Sequence, residues 1–227
     1  MFDTADYRRA AARLDVPVAH IMAMIAVESS GETMWVVDGR LVPPVRFEAH
    51  WFGKLTGYRF NASHPDLSCD GWNPSLAAGT RAGAWDQLTR ARALDAAAAD
   101  QATSWGGFQV MGFHWERLGY DSIQAFVDSM MRNGDDGQMD AFVQFVLEDP
   151  ALRASLRIGA WLDVERRYNG GGYNGAYAVK LEAAAALYAG HDGEPVTDRA
   201  GKPLVAATPR ALRMGDRGAD VVALQVA

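Results

Sequence analysis

The stretch Pro17-Val-Ala-His-Ile-Met-Ala-Met-Ile-Ala-Val-Glu-Ser-Ser-Gly31 decides how the chain is read. Proline is tolerated in the first turn of a helix and glycine ends one, so the segment predicts a helix from about residue 17 to residue 31. Ile21, Met24, Ile25 and Glu28 fall at i, i+3, i+4 and i+7, on one face. A carboxylate therefore ends an apolar stripe. Such a place disfavours the charged form and keeps a proton available near neutrality, as a general acid requires. The competing reading is a solvated residue at a helix end, where a negative charge gains nothing from the helix dipole.

Working outward, residues 4–14 predict a short helix with Thr4 as N-cap. Met34 to Val42 holds two β-prone runs around Asp38-Gly39, a strong hairpin signal. Pro43 and Pro44 end the second run, and Val45-Arg-Phe-Glu48 leads into a helix ending near Gly57. Residues 58–80 read as a loop and 81–101 as one long alanine-rich helix. Further helices are expected over about 121–132, 136–148, 150–157, 160–168 and 175–189. The fold class is mostly α, with one small hairpin. From 190 to 208 the composition shifts to Gly, Pro, Asp and Thr, which reads as a linker.

The chain has 227 residues, 49% apolar and 22% charged, the mix of a globular protein with a core of its own. Its one cysteine, Cys69, forbids an internal disulfide and suits a reducing compartment; no base lies near it in sequence to make it a nucleophile. The first residues lack the apolar core of a signal peptide, and no window reaches the ~18 apolar residues of a membrane span. The net charge of −6, with no basic stripe, argues against nucleic acid. His20, His50, His64, His114 and His191 show no paired ligand spacing, so no metal is expected. The run Gly170 to Gly175 lacks the Lys-Ser/Thr of a phosphate loop. A monomer without cofactors is expected.

Four segments in order carry a family resemblance: Ala26-Val-Glu-Ser-Ser-Gly31, Arg46-Phe-Glu-Ala-His50, Ser104-Trp-Gly-Gly-Phe-Gln109 and Arg166-Arg-Tyr-Asn-Gly170. Together they resemble the N-acetylmuramidase family common in phage endolysins, within the lysozyme superfamily that includes goose-type lysozymes and lytic transglycosylases. The resemblance covers residues 1–189. It implies a lysozyme-like α+β catalytic domain whose hairpin lies next to the active site, with Glu28 as catalytic acid. It also implies release to the cell wall by a separate membrane-permeabilising protein after synthesis in the bacterial cytoplasm.

Glycoside hydrolysis usually takes two carboxyl groups. Glu48, just past the hairpin, is the candidate for the second role, and the resemblance favours it as well. Its competing reading is a salt bridge with Arg46; Glu32 and Asp38 are weaker candidates, expected to face solvent and to serve the turn. Sugar binding needs flat apolar faces and amide or hydroxyl groups, which Trp105, Gln109, Tyr168 and Asn169 supply. The resemblance places Gln109 and Tyr168 beside the acid. Ser30 and His50, from the same motifs, complete the expected binding set. Phe108, Phe47 and Trp51 are expected in the core, and the Gly106-Gly107 pair is expected to allow close approach to a ligand.

Residues 209–227 resemble the opening of a peptidoglycan-binding helical module, with Leu212, Gly215, Gly218, Val221, Leu224 and Gln225 in its spacing. About nineteen residues are too few for a core of their own. The expected function is cleavage of the β-1,4 bond between N-acetylmuramic acid and N-acetylglucosamine in bacterial peptidoglycan. The alternatives are a lytic transglycosylase, which leaves 1,6-anhydro ends, and a catalytically inert wall-binding or virion protein.

Overall fold

The computed structural model describes residues 2–132, 135–170, 174–194 and 196. The expected linker and C-terminal module fall almost wholly outside these residues. Contacts divide the chain into two compact units, one built from residues up to Glu32 together with those from Val143 onward, the other from Thr33–Phe142.

The first unit contains α1 (Thr4–Leu14), α2 (Val18–Ser29), the end of α7 (Asp135–Leu147), α8 (Pro150–Ile158), α9 (Trp161–Asn169) and α10 (Ala176–Tyr188). Helix α1 starts one residue earlier than Thr4 suggests. Asp3 is the N-cap and shares a capping box with Asp6, while the Thr4 hydroxyl donates to Gly193 O at 3.2 Å. A carboxylate outcompetes a hydroxyl for the orphan amides of the first turn.

Helix α2 is buried on every side from Ile21 to Val27, not only along the stripe read from sequence. A helix apolar all round belongs inside a core. Helix α10 packs along it, and α10's buried face of Ala178, Leu181, Ala184 and Ala185 is small enough for close approach. Helix α2 ends where Ser30 and Gly31 turn left-handed, at φ 56 and 76. Their amides return to Ala26 O at 3.0 Å and Ile25 O at 3.2 Å, a glycine-assisted C-terminus that leaves Glu28 in the last turn.

The second unit opens with the hairpin of β1 (Trp35–Val37) and β2 (Arg40–Val42). Asp38 and Gly39 both have positive φ, 48 and 75, as a two-residue primed turn requires. Val45–Phe47 forms a strand, β3, before α3 (Ala49–Leu55) begins. Beyond the short 3-10 turn Pro74–Leu76 come α4 (Arg81–Leu94), α5 (Ala96–Gln101), β4 (Thr103–Trp105), β5 (Val110–Met111), α6 (Ile123–Arg132) and the first part of α7. The sheet runs β3-β4-β5, antiparallel, pairing Arg46 with Ser104 and Ser104 with Met111. The single helix expected over 81–101 is broken at Asp95. Its backbone is extended there, and its carboxylate accepts the Ala98 amide at 3.0 Å, starting α5 afresh.

Among the described residues no single helix is long and apolar enough to cross a membrane. Helices α1 and α2 reach that composition only as a pair bent by 112°, and α2 is a core helix.

Candidate active site

In the first unit, the Glu28 carboxylate stands at the C-terminal end of α2, half-buried. This is the negative end of the helix dipole, which opposes a carboxylate. A donor offsets that cost: the hydroxyl of Tyr177, on α10, donates to Glu28 Oε1 at 2.5 Å. Tyr177 is itself buried, and the side chain of Asn169, the last residue of α9, hydrogen-bonds the same hydroxyl. Tyr168 lies edge-on to Phe145, their ring centroids 5.2 Å apart. Burial, and then the nearby Glu28 charge, push the phenols of Tyr168 and Tyr177 well above the usual tyrosine range. Both stay protonated, and the Tyr177 hydroxyl serves as the donor to Glu28.

The structure thus brings Glu28, Tyr168 and Asn169 together in the first unit. It adds Tyr177, which sequence reasoning missed. The signal available was a single polar-tipped ring leading the alanine-rich buried face of α10. Ser30, in contrast, is exposed and left-handed, and its backbone closes α2.

In the second unit, β3 delivers Glu48 to the start of α3. Its amide continues the sheet by donating to Ala102 O at 2.9 Å. At the N-terminal end of a helix a negative charge is favoured. The Arg46 Nε lies 3.0 Å from Glu48 Oε1, so the salt bridge weighed against a catalytic role is present. That nitrogen is buried and not aligned as a hydrogen bond. His50 Nδ1 lies 3.6 Å from Glu48 Oε2, beyond hydrogen-bond range. Burial first, and then Arg46, lower the His50 pKa, so the ring is neutral near pH 7 and adds no charge beside Glu48.

Gln109 follows the turn after β4, in the left-handed region at φ 52. Its Oε1 accepts the Ser104 hydroxyl at 2.8 Å and its Nε2 donates to Gly106 O at 2.8 Å. One amide hydrogen and one lone pair remain for a ligand. Two expectations for this segment are corrected. Trp105 is only 1% exposed, and its indole nitrogen donates to Asp100 O at 3.0 Å. Strand pairing with Val45 puts its ring in the core, where it offers no face to a sugar. The Gly106-Gly107 pair approaches protein, not open space: a Cβ at Gly106 would stand 2.7 Å from Gln138 Cγ, and the Gly107 amide donates to Gln138 Oε1 at 2.7 Å.

Phe108 and Phe47 are buried as expected. Trp51 is half-buried, tilted against Phe113 at 4.5 Å. Burial raises the Cys69 thiol above its ordinary pKa, which disfavours the nucleophilic thiolate. Among the described residues no group of three or more His, Cys, Asp or Glu is placed to hold a metal ion.

Residues 17–189 match the family model described as N-acetylmuramidase. The fold is similar to the crystal structure of the Burkholderia AP3 phage endolysin, with 40% sequence identity and a TM-score of 0.69, over 82% of this chain and 69% of that one. No curated protein matches the chain in sequence.

Proposed function

The chain belongs to the N-acetylmuramidase family, lysozyme-type glycoside hydrolases that act on peptidoglycan, and on that premise we propose that Glu28 is its general acid. Glu28 protonates the bridging oxygen as the β-1,4 bond between N-acetylmuramic acid and N-acetylglucosamine breaks. Glu48, at the start of α3, assists the attacking water or stabilises the positive charge developing at the sugar. Tyr168, Asn169, Gln109, His50 and Ser30 contact the saccharide. The observation that carries the assignment is the Tyr177 hydroxyl held 2.5 Å from Glu28 Oε1. It fixes one carboxylate oxygen at the end of α2.

The resemblance to a phage endolysin supports a role in host lysis. Synthesis in the cytoplasm, release to the wall and action there as a monomer belong to the same proposal. The net charge of −6 favours neither nucleic acid nor an anionic membrane as partner. The domain proposed for this work spans residues 1–189, followed by a linker over 190–208. Residues 209–227 carry the start of a peptidoglycan-binding motif.

Mass spectrometry of muropeptides from purified walls, with Glu28→Gln and Glu48→Gln beside the wild type, tests the assignment. Reducing ends are expected from the wild type, almost no product from Glu28→Gln and a severe loss in Glu48→Gln. Wild-type product from Glu28→Gln refutes the assignment. The Arg46 ion pair, by engaging Glu48, favours a second reading: a transglycosylase working with one carboxyl. Anhydro ends, with Glu48→Gln still active, establish it.

A further inference from the structure

Glu165 stands on α9, a carboxylate only 3% exposed. Both of its oxygens are used by the next helix. Oε1 accepts the Gly175 amide and Oε2 the Ala178 amide, each at 2.9 Å. These amides belong to the open end of α10, whose N-cap position makes no side-chain capping bond of its own. Gly175 occupies that position at φ 88, a conformation L side chains rarely adopt. The cap must therefore come from elsewhere in the chain, and a buried carboxylate at a helix N-terminus meets both the orphan amides and the dipole.

Tyr177 lies between the two clamped amides, and its hydroxyl donates to Glu28. Tyr168 and Asn169 follow Glu165 by three and four residues, so all three share one face of α9. Asn169 reaches the Tyr177 hydroxyl from that face, while Tyr168 borders Glu28 closely enough to feel its charge. One carboxylate thus ties the helix carrying Tyr168 and Asn169 to the turn carrying Tyr177.

We propose that Glu165 is a positioning residue: by clamping the first turn of α10 onto α9 it fixes the Tyr177 hydroxyl, and through it the Glu28 carboxyl, for proton delivery. The inference rests on the reading of Glu28 as the acid. Glu165 touches no substrate. It acts through backbone amides, so its effect on rate runs through Tyr177.

The test uses the full chain as wild type, Glu165→Gln, Tyr177→Phe, the double variant and Glu28→Gln. Each is assayed for kcat and KM on purified peptidoglycan and, where Tyr177 is present, by NMR of its 13Cζ-labelled ring. Glu165→Gln keeps one acceptor and loses the other. It is expected to lower kcat about ten-fold with KM changed by less than about two-fold. Tyr177→Phe is expected to give a similar loss, and the double variant to be no slower than the worse single, because both changes break one linkage. The Tyr177 resonance should shift in Glu165→Gln.

If the two losses multiply, or Glu165→Gln leaves kcat or the Tyr177 resonance at the wild-type value, the positioning role is wrong. Should Glu165→Gln not fold, Glu165→Asp keeps the charge one methylene short and is held to the same outcomes. Wild-type kcat in Glu28→Gln is a separate failure. It removes the acid assignment, and the positioning role falls with it.

Discussion

Tyr177 and Glu28, 149 residues apart in sequence, are joined by one hydrogen bond of 2.5 Å in which the phenol donates to the carboxylate. Burial, then the Glu28 charge, raise the phenol pKa well above its ordinary value, so the donor persists across the working pH range. Donation to a carboxylate favours the charged form and therefore opposes protonation of Glu28. A general acid works while protonated, and its rate falls as pH rises through its pKa. Tyr177→Phe removes the opposing donor, so the alkaline limb of the kcat profile is expected to move upward. The plateau is expected to drop, because the carboxyl is no longer oriented. A limb that moves downward contradicts the relationship.

Gln138 sits on α7 at 1% exposure and holds two backbone groups at once. Its Oε1 accepts the Gly107 amide at 2.7 Å and its Nε2 donates to Thr33 O at 2.9 Å. Gln138→Ala leaves both groups buried without that partner and opens a cavity beside Gly106. The expected loss is about 3 kcal/mol, seen as a fall of roughly 6–12 °C in Tm. Gln109 shares this turn through its bond to Gly106 O, so KM should rise as well. A Tm within about 2 °C of wild type shows that the turn holds itself.

The helices and the Asp38-Gly39 hairpin were legible because each carries a local signal, apolar spacing in one case and a turn dipeptide in the other. The three-stranded sheet was not, because strands of two or three residues are too short to show alternation. That omission misplaced Trp105. Its chemistry suits a sugar platform, but pairing β4 with β3 turns the ring into the core, and pairing is a long-range fact. At Asp95 local chemistry did decide, since a carboxylate inside an alanine-rich run can cap a helix as readily as continue one. Glu28, Tyr168 and Asn169 were readable from motifs. Tyr177 and Glu165 act through contacts between helices, and no spacing within one segment reveals them.

Gly112 follows β5 where the chain presses against α5. A Cβ there would stand 2.1 Å from Asp100 O and 3.0 Å from Gln101 Cα, backbone atoms that cannot swing aside. Gly112→Ala must displace α5 or the strand, at an expected cost of about 3 kcal/mol or a Tm lower by roughly 6–12 °C. Gly79 is the matched control. A Cβ there meets nothing within 4 Å, and its φ is not among the positive ones. Gly79→Ala should be neutral or stabilising by about 0.5 kcal/mol through a less flexible unfolded chain. Differential scanning calorimetry of the pair separates the two cases; equal Tm values would show that the Gly112 contact relaxes freely.

His114 predicts how the fold responds to acid. Burial first, and then the Arg117 charge, lower its pKa from 6.5 to about 4. The native ring therefore stays neutral where the unfolded ring has already taken a proton. With more protons bound in the unfolded state, stability is full above pH 6.5, declines as pH falls toward 4, and has lost the whole contribution below that. Discounted for partial exposure, the contribution is on the order of 2 kcal/mol. Asp66 and Asp149, whose carboxyls are held below the ordinary range, lose their contributions only at more acid pH. His50, also lowered, loses its own in the same acid direction below pH 6.5, so comparison with His114→Gln isolates the His114 share. Urea unfolding at pH 7 and pH 4.5 should show wild type losing more stability than His114→Gln between the two conditions. Equal losses would mean that the native ring takes up its proton as readily as the unfolded one.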